Sequence, residues 1–373
     1  MSDYANARGR TVAHEVVAVS RWGYFGRRLL LSIPVVLFAM TFTFVAIRMG
    51  PLDPVAAIIG PQGDPQAYAR IERRLGLNQP LWEQYIDFMS GLFTLNFADS
   101  YVVSENRNAK DVILQFAPKT IWLGMFSISI ALFIGIPLGF YAGLNPNTPG
   151  DYVASLGGII WRAMPNFWLG VMLIAVLIQS KQYLGIPGVW TLDWSNWIVR
   201  TATIGTPPMQ FVEITQRVAG IPVQFDVKFQ NLLAATKVTL PPALVLGSAS
   251  MGNEMRIGRT AVLETINSKY VETARAKGVP SRIIVWKHVF RNAMIPLIPI
   301  ISNEALLLVG GSVIVEQVFQ FKGLGYIFFQ ALSAGDLPLI GALMFVFVVF
   351  LVFLNILQDL LYTIIDPRVG YET

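Results

Sequence analysis

Cysteine is absent from the 373 residues, so disulfides, thiol catalysis and cysteine-ligated metal sites are excluded by inventory. Histidine is nearly absent: His14 and His288 stand far apart without metal-ligand spacing and read as surface residues. No Gly-x-x-x-x-Gly-Lys-Ser/Thr stretch occurs, which removes the P-loop route to nucleotide binding. No repeat of about 20–50 residues, low-complexity tract or block of like charge appears, which argues against a solenoid or a disordered tail. Charge is scarce at 14% against 54% hydrophobic residues, too apolar a balance for an ordinary soluble domain. The net charge of +5 is what a membrane protein with a basic cytoplasmic face carries, and nucleic acid is not needed to explain it.

What the chain has instead is apolar runs long enough, at about 20 residues, to cross a bilayer. The first, Leu29 to Ile47, follows Arg27-Arg28. It exceeds the about 7–15 residues of a signal-peptide core, and no small-residue cleavage site follows, so it is expected in the mature protein. Five more runs read as roughly Thr120 to Leu144, Tyr152 to Ile178, Leu240 to Arg256, Ile295 to Val318 and Pro338 to Ile365. The fourth is the least apolar, with Asn253 and Glu254 near one end. The expectation is one all-α membrane domain of six transmembrane helices.

Lys and Arg near the span ends set orientation. Arg256, Arg259, Lys269, Arg275, Lys277, Arg282, Lys287 and Arg291 crowd between spans four and five. With Arg27 and Arg28 they place that loop and both termini in the cytoplasm. The chain then divides into a cytoplasmic amino-terminal segment (1–28), the first span (29–47), an external segment (48–119), a permease core (120–365) and a cytoplasmic tail (366–373). The core carries an external insertion (181–237) and a cytoplasmic loop (257–294). The external segment is polar and proline-rich, with a surface helix expected over Tyr68 to Leu77 in which Ile71 and Leu75 share a face. The insertion, with Pro187, Pro207, Pro208 and Pro222 among scattered aromatics, reads as a small folded unit.

The cytoplasmic loop holds the most informative stretch, Tyr270-Val271-Glu272-Thr273-Ala274-Arg275-Ala276-Lys277-Gly278-Val279-Pro280. It predicts a short helix: Asn267 and Ser268 can cap its start, Gly278 suits the left-handed closing position, and Pro280 cannot continue it. A second helix then starts near Ser281 and leads through Trp286 to span five. Val271, Ala274 and Gly278 fall at i, i+3 and i+7, giving one small face that a partner's groove can receive, so that the helix moves as a lever on spans four and five. The plainer alternative is a solvated amphipathic loop helix.

This stretch is similar to the coupling-helix signature of binding-protein-dependent ABC importer permeases: Glu272, Thr273, Ala274 and Gly278 match it in order, with Thr273 where alanine is commoner. The usual Ile-x-Leu-Pro is out of register, and Arg291-Asn292-Ala293 with Pro296 stands instead, as in the dipeptide and oligopeptide branch. Further matches are Arg27-Arg28-Leu29, Leu75-Gly76-Leu77 with Pro80, Pro165 with Phe167-Trp168, Glu316 with Phe319, Gly323-Leu324-Gly325, Asn355, Asp359 with Tyr362, and Asp366-Pro367-Arg368. Only about Lys181 to Leu233 lacks a counterpart. The chain thus resembles the B-type subunit of a peptide importer in the type I permease architecture. That resemblance implies a second permease subunit in a heterodimer, two cytoplasmic ATP-binding subunits, an external solute-binding protein, a prokaryotic inner-membrane location, and no catalysis or cofactor of its own. Tyr270, Glu272, Ala274, Lys277 and Gly278 are the expected coupling residues.

Polar groups in apolar spans are costly and must face protein or water. Arg162, Asn166, Asn303 and Glu304 are candidates for the translocation path, with helix-to-helix bonding as the alternative for each. Glu316 is expected to play a structural part beside Gly323-Leu324-Gly325. Arg256 and Arg259 are candidates for an inner gate, although the positive-inside bias alone accounts for them. A different class of reading, a stand-alone six-span channel or secondary transporter using Arg162 and Glu304 as a charged pair, finds no voltage-sensing arginine series, filter motif or inverted pair of broken helices. An enzyme finds no Ser/His/Asp set or metal-ligand cluster.

Overall fold

In hydrocarbon a single apolar segment satisfies its backbone only as a helix, and the apolar runs are helical where they are described, save for a break at Met164-Pro165. The structure, a computed structural model, describes residues 21–50, 53–60, 64–183, 212–218, 221–227, 229–297, 300 and 312–365.

Helix α1 (Arg21–Met49) begins eight residues before the expected first span, because nothing between Arg21 and Arg28 breaks a helix. Residues 48–119 carry α2 (Pro54–Ile59), α3 (Pro65–Arg74) and α4 (Leu81–Phe93). Helix α3 starts three residues before the expected Tyr68, since Asp64 caps it by accepting from the Gln66 amide at 3.3 Å. Asp53 caps α2 through the Val55 and Ala56 amides and also accepts from the Tyr68 hydroxyl at 3.0 Å, which ties α2 to α3.

The second span runs from Ala109 rather than Thr120, because Asn108 caps its start by accepting from the Lys110 amide at 3.0 Å. It comprises α5 (Ala109–Ile130), a five-residue π-turn (Ala131–Gly135) and α6 (Ile136–Leu144). The third span is not one straight helix. α7 (Pro149–Ala163) and α8 (Asn166–Tyr183) meet at 101°. The cause is Pro165, which forces Met164 into an extended conformation (φ −81°, ψ 128°) and so ends α7.

The fourth span is part of a 38-residue helix, α9 (Phe229–Ile266), which continues through Pro241 and Pro242 and far past Arg256. Of the expected fifth span the described residues are a 3₁₀ turn at Ile295–Leu297, Ile300 and a helix at 312–318. Then follow α11 and α12, numbered after the loop helix α10 (Lys269–Ala276): α11 (Leu324–Ala334) closes on Gly335 (φ +67°), and α12 (Leu337–Ile365) is the last span. Gly26–Met49, Ala109–Leu144 and Leu337–Leu360 are each long and apolar enough to cross a membrane, and the bent pair α7–α8 adds a fourth crossing if it is one span.

Within residues 181–237 the chain departs from the all-helical expectation. Strands β1 (Val212–Val218) and β2 (Ile221–Val227) pair antiparallel in a hairpin. The alternation in Val-Glu-Ile and Val-Gln-Phe-Asp-Val is the strand period of two.

Two polar fastenings position residues 100–103 and the first helix against α12. The fully buried Asp336 carboxylate accepts from the Ser100 hydroxyl at 2.5 Å and from the Tyr101, Val102 and Val103 amides at 3.1 Å each. At the other end of α12, Asp359 takes a two-pronged pair from Arg28 of α1. Between them Met40, Met89, Leu92, Val112, Leu339 and Leu343 form an apolar core. Asp336→Ala strands several buried donors at once, a loss of about 3 kcal/mol or more. Amide exchange at Val102 and Val103 is expected to accelerate by about a hundredfold, measured by hydrogen exchange of the purified protein.

Candidate coupling site

The loop after α9 is built by its own side chains. Asn267 and Ser268 do not cap the start of α10 as expected. Asn267 donates to the Leu263 carbonyl at 2.9 Å and Ser268 to the Thr265 carbonyl at 2.6 Å, so both close the end of α9. At the far end of α10 the Val279 amide reaches the Ala274 carbonyl (3.1 Å) and the Gly278 amide reaches the Arg275 carbonyl (2.9 Å), a Schellman closure with Gly278 at φ +74°. Pro280 then starts the next segment, which is helical at Ser281–Ile283, widens to a π-helix at Ile284–Phe290, and returns to α-helix at Arg291–Ala293.

The small face of α10 points inward. Val271 and Ala274 are buried against Ile136 and Phe140 of α6, Ala261 and Val262 of α9, and Ile284 and Val289 of the following segment. These two residues therefore do not await a partner's groove, because the chain's own core already covers them. What α10 shows to solvent is Glu272, Thr273, Arg275, Ala276 and Lys277, with Gly278 at its end. Tyr270, half-exposed, looks back along the loop: its hydroxyl accepts from the Asn292 amide nitrogen at 3.0 Å, and that nitrogen also donates to the His288 carbonyl at 2.8 Å. The loop helix is thus locked at once to α6, α9 and the root of span five.

A glycine seam holds the helices above it. Gly135, Gly139 and Gly143, at i, i+4 and i+8, lie along α9: a Cβ on Gly139 would come 2.5 Å from the Met255 carbonyl oxygen, and one on Gly143 2.9 Å from that of Arg259. On α9 itself a Cβ on Gly252 would come 2.5 Å from the Gly158 carbonyl oxygen of α7. This is small-residue packing of membrane helices, backbone against backbone. The spacing stands in the sequence and was a legible sign of this contact. Glu254, 1% exposed, lies at the same crossing, its carboxylate beside Gly135 in the π-turn.

The remaining polar candidates separate into groups. Arg259 forms a bidentate pair with Asp151, Nε to Oδ1 at 2.5 Å and Nη2 to Oδ2 at 2.8 Å, and Asp151 also accepts from the Asn147 amide and the Ser155 hydroxyl. This geometry makes Arg259 a clamp between α7 and α9 in this conformation. Arg162 donates to Asn253 Oδ1 at 2.8 Å, and Arg256 approaches the same oxygen at 3.5 Å, so these two cations share one acceptor on an exposed surface of α7 and α9. Asn166 opens α8 just past the bend. Asn303 and Glu304 lie outside the described residues. Glu316 sits where expected, accepting from Thr120 Oγ1 at 2.9 Å and the Tyr326 amide at 2.8 Å, while Thr120 accepts from the Leu324 amide.

Arg259→Ala leaves Asp151, with a side chain only 2% exposed, buried without its counter-charge. The expected cost is about 3–5 kcal/mol, and Arg259→Ala with Asp151→Leu recovers part of it. Thermal unfolding of the solubilised protein measures both.

Residues 135–371 match the family described as binding-protein-dependent transport system inner membrane component, and residues 23–107 match the amino-terminal part described for such membrane components. The dipeptide transport system permease protein DppB of Alkalihalophilus pseudofirmus is 32% identical over 348 residues, 93% of this chain and 99% of its own length. The oligopeptide transport system permease protein AppB of Bacillus subtilis is 31% identical with the same coverage. The glutathione transport system permease protein GsiC of Salmonella typhi is 28% identical over 349 residues, 94% of this chain and 99% of its own.

Proposed function

Since the chain belongs to the family of binding-protein-dependent transport system inner membrane components, we propose that it forms half of the pathway of an ATP-driven importer of di- or oligopeptides and couples to cytoplasmic ATPase subunits through α10. The protein is a multi-pass permease of the inner membrane. In the proposed assembly both termini are cytoplasmic, a second permease subunit completes the pathway, two ATP-binding subunits supply the energy, and an external binding protein delivers the solute. The peptide class follows the names of the relatives, dipeptide and oligopeptide permeases.

One observation carries the coupling role: α10 is an ordered helix anchored by its buried face to three other elements, while its opposite face, Glu272, Arg275, Ala276 and Lys277, stays exposed. A push on that face moves α9 and the root of span five together. Among the path and gate candidates, Arg162 and Asn166 beside the α7–α8 bend are proposed to line the pathway, and Arg256, which approaches the same Asn253 oxygen as Arg162, is proposed for the inner gate. Asn303 and Glu304 are proposed on sequence alone, and Arg259 is proposed to hold the gate region closed through Asp151.

Gly278 provides the test. A Cβ there meets nothing within 4 Å, so space is not limiting, but the left-handed backbone is. Gly278→Val strains the closure by about 1–2 kcal/mol or more, whereas Gly278→Asn accepts that conformation. In the reconstituted complex, ATPase stimulation by peptide-loaded binding protein is expected to be largely lost in Gly278→Val and largely kept in Gly278→Asn. Equal activity of the valine variant and the parent would dismiss the coupling role.

A further inference from the structure

The external segment contains a helix whose outward face is not that of a water-facing element. On α4, Leu81, Trp82, Ile86 and Phe93 are each 55% or more exposed, and Trp82, Ile86 and Phe93 recur at i, i+4 and i+11 along one stripe. The opposite, buried face packs on α1. Phe44 meets the rings of Tyr85 at 5.3 Å and Phe88 at 5.5 Å. The Tyr85 hydroxyl lies 2.8 Å from Thr41 Oγ1, whose own proton goes to the Leu37 carbonyl, so Tyr85 is the donor.

These partners fix the depth of α4. Thr41 lies eight residues before Met49, the last residue of α1, which is about 12 Å inside its outer end. Arg48, one residue before that end, lies over the Phe44 ring at 5.8 Å, as expected of a basic side chain at the headgroup level. The neighbouring surface of α1 is itself apolar: Phe42, Val45 and Met49 are exposed along its outer half. The stripe of α4 therefore continues a lipid-facing surface at interfacial depth, and it carries a tryptophan, the side chain most at home there.

We propose that α4 is a membrane-surface helix seated in the outer leaflet, with Trp82, Ile86 and Phe93 among the upper acyl chains. Its charged residues are Glu83 and Asp87, and it has no Lys or Arg, so the attraction is apolar burial rather than charge, and zwitterionic lipid suffices. The segment assigned wholly to the external space is then partly a monotopic anchor fastened to the first span. The inference rests on α1 crossing the membrane with its Met49 end outward and is independent of the coupling role.

The cysteine-free chain makes the test direct. Single replacements Trp82→Cys, Ile86→Cys and Phe93→Cys are spin-labelled in the assembled complex in phosphatidylcholine vesicles, with Val45→Cys on α1 and Arg73→Cys on α3 as references. Collision with oxygen relative to a water-soluble nickel chelate is expected to be severalfold higher at 82, 86 and 93 than at 73, and close to that at 45. Ratios matching position 73 would place the stripe in water and overturn the proposal. Shielding from both reagents would also overturn it, by showing that another protein subunit covers α4. A water-like ratio at 45 would instead refute the spanning of α1 on which the inference stands.

Discussion

Ala274→Asp is expected to unfold the loop at 267–280, whereas Ala276→Asp, two residues along the same short helix, leaves it folded and, on the proposed coupling role, damages only the contact with the ATPase. Ala274 is 8% exposed and faces the core shared with α6 and α9, so a carboxylate there is a buried charge without a partner. The cost is several kcal/mol, enough to detach α10 from its seat. Ala276 points to solvent, where an aspartate adds one negative charge near the helix C-terminus and gives up alanine's helix propensity, about 1 kcal/mol in all. Limited proteolysis within 267–280 should therefore rise sharply in the first variant and stay at the parental rate in the second. On the proposed coupling role, ATPase stimulation falls in both. The pair separates a residue that holds the lever from one that touches what drives it. Parental proteolysis of Ala274→Asp would contradict the inward orientation of that face.

Gly139→Ala is the second large effect, and its size comes from a single methyl group. The added carbon would lie 2.5 Å from the Met255 carbonyl oxygen and 2.9 Å from the Met255 Cα, both backbone atoms that no side-chain rotation can move aside. The helices must separate, at a cost of about 3 kcal/mol or more, with loss of folded protein. Gly157→Ala is the matched control. It lies within α7, a Cβ there meets nothing within 4 Å, and alanine is expected to stabilise the helix by about 0.5–1 kcal/mol. Thermal stability of the two variants in the same detergent should move in opposite directions. A shared direction would mean that the seam is looser than drawn.

Most of the helical framework was legible because hydrophobic length is a coarse and forceful signal: Leu29 to Ile47 and Pro338 to Ile365 lie within α1 and α12. The ends were less so. The start of α5 depends on Asn108, a polar residue outside the apolar run, and α9 overruns its apolar part because its continuation is held by packing and by Asp151. Pro165 was visible, but hydropathy averages across a bend, so the 101° turn was not. Periodicity grouped Val271 with Ala274 correctly and assigned the face to the wrong neighbour, since spacing tells which residues look the same way and not what they look at. Pairs such as Asp336 with Ser100, or Arg259 with Asp151, join residues 236 and 108 positions apart, and no local pattern announces them.

The two carboxylates that fasten α12 also measure it. Asp336 and Asp359 are 23 residues apart, about 35 Å along a helix, slightly more than the about 30 Å of a bilayer's hydrocarbon. Each therefore falls just beyond the oily layer, one tied to residues 100–103 and one to the first helix. α12 is a ruler graduated at both ends. Adding or removing one turn between those marks would draw one of the two charges into hydrocarbon or force the helix to tilt, and α1, pinned to it through Arg28, would have to follow.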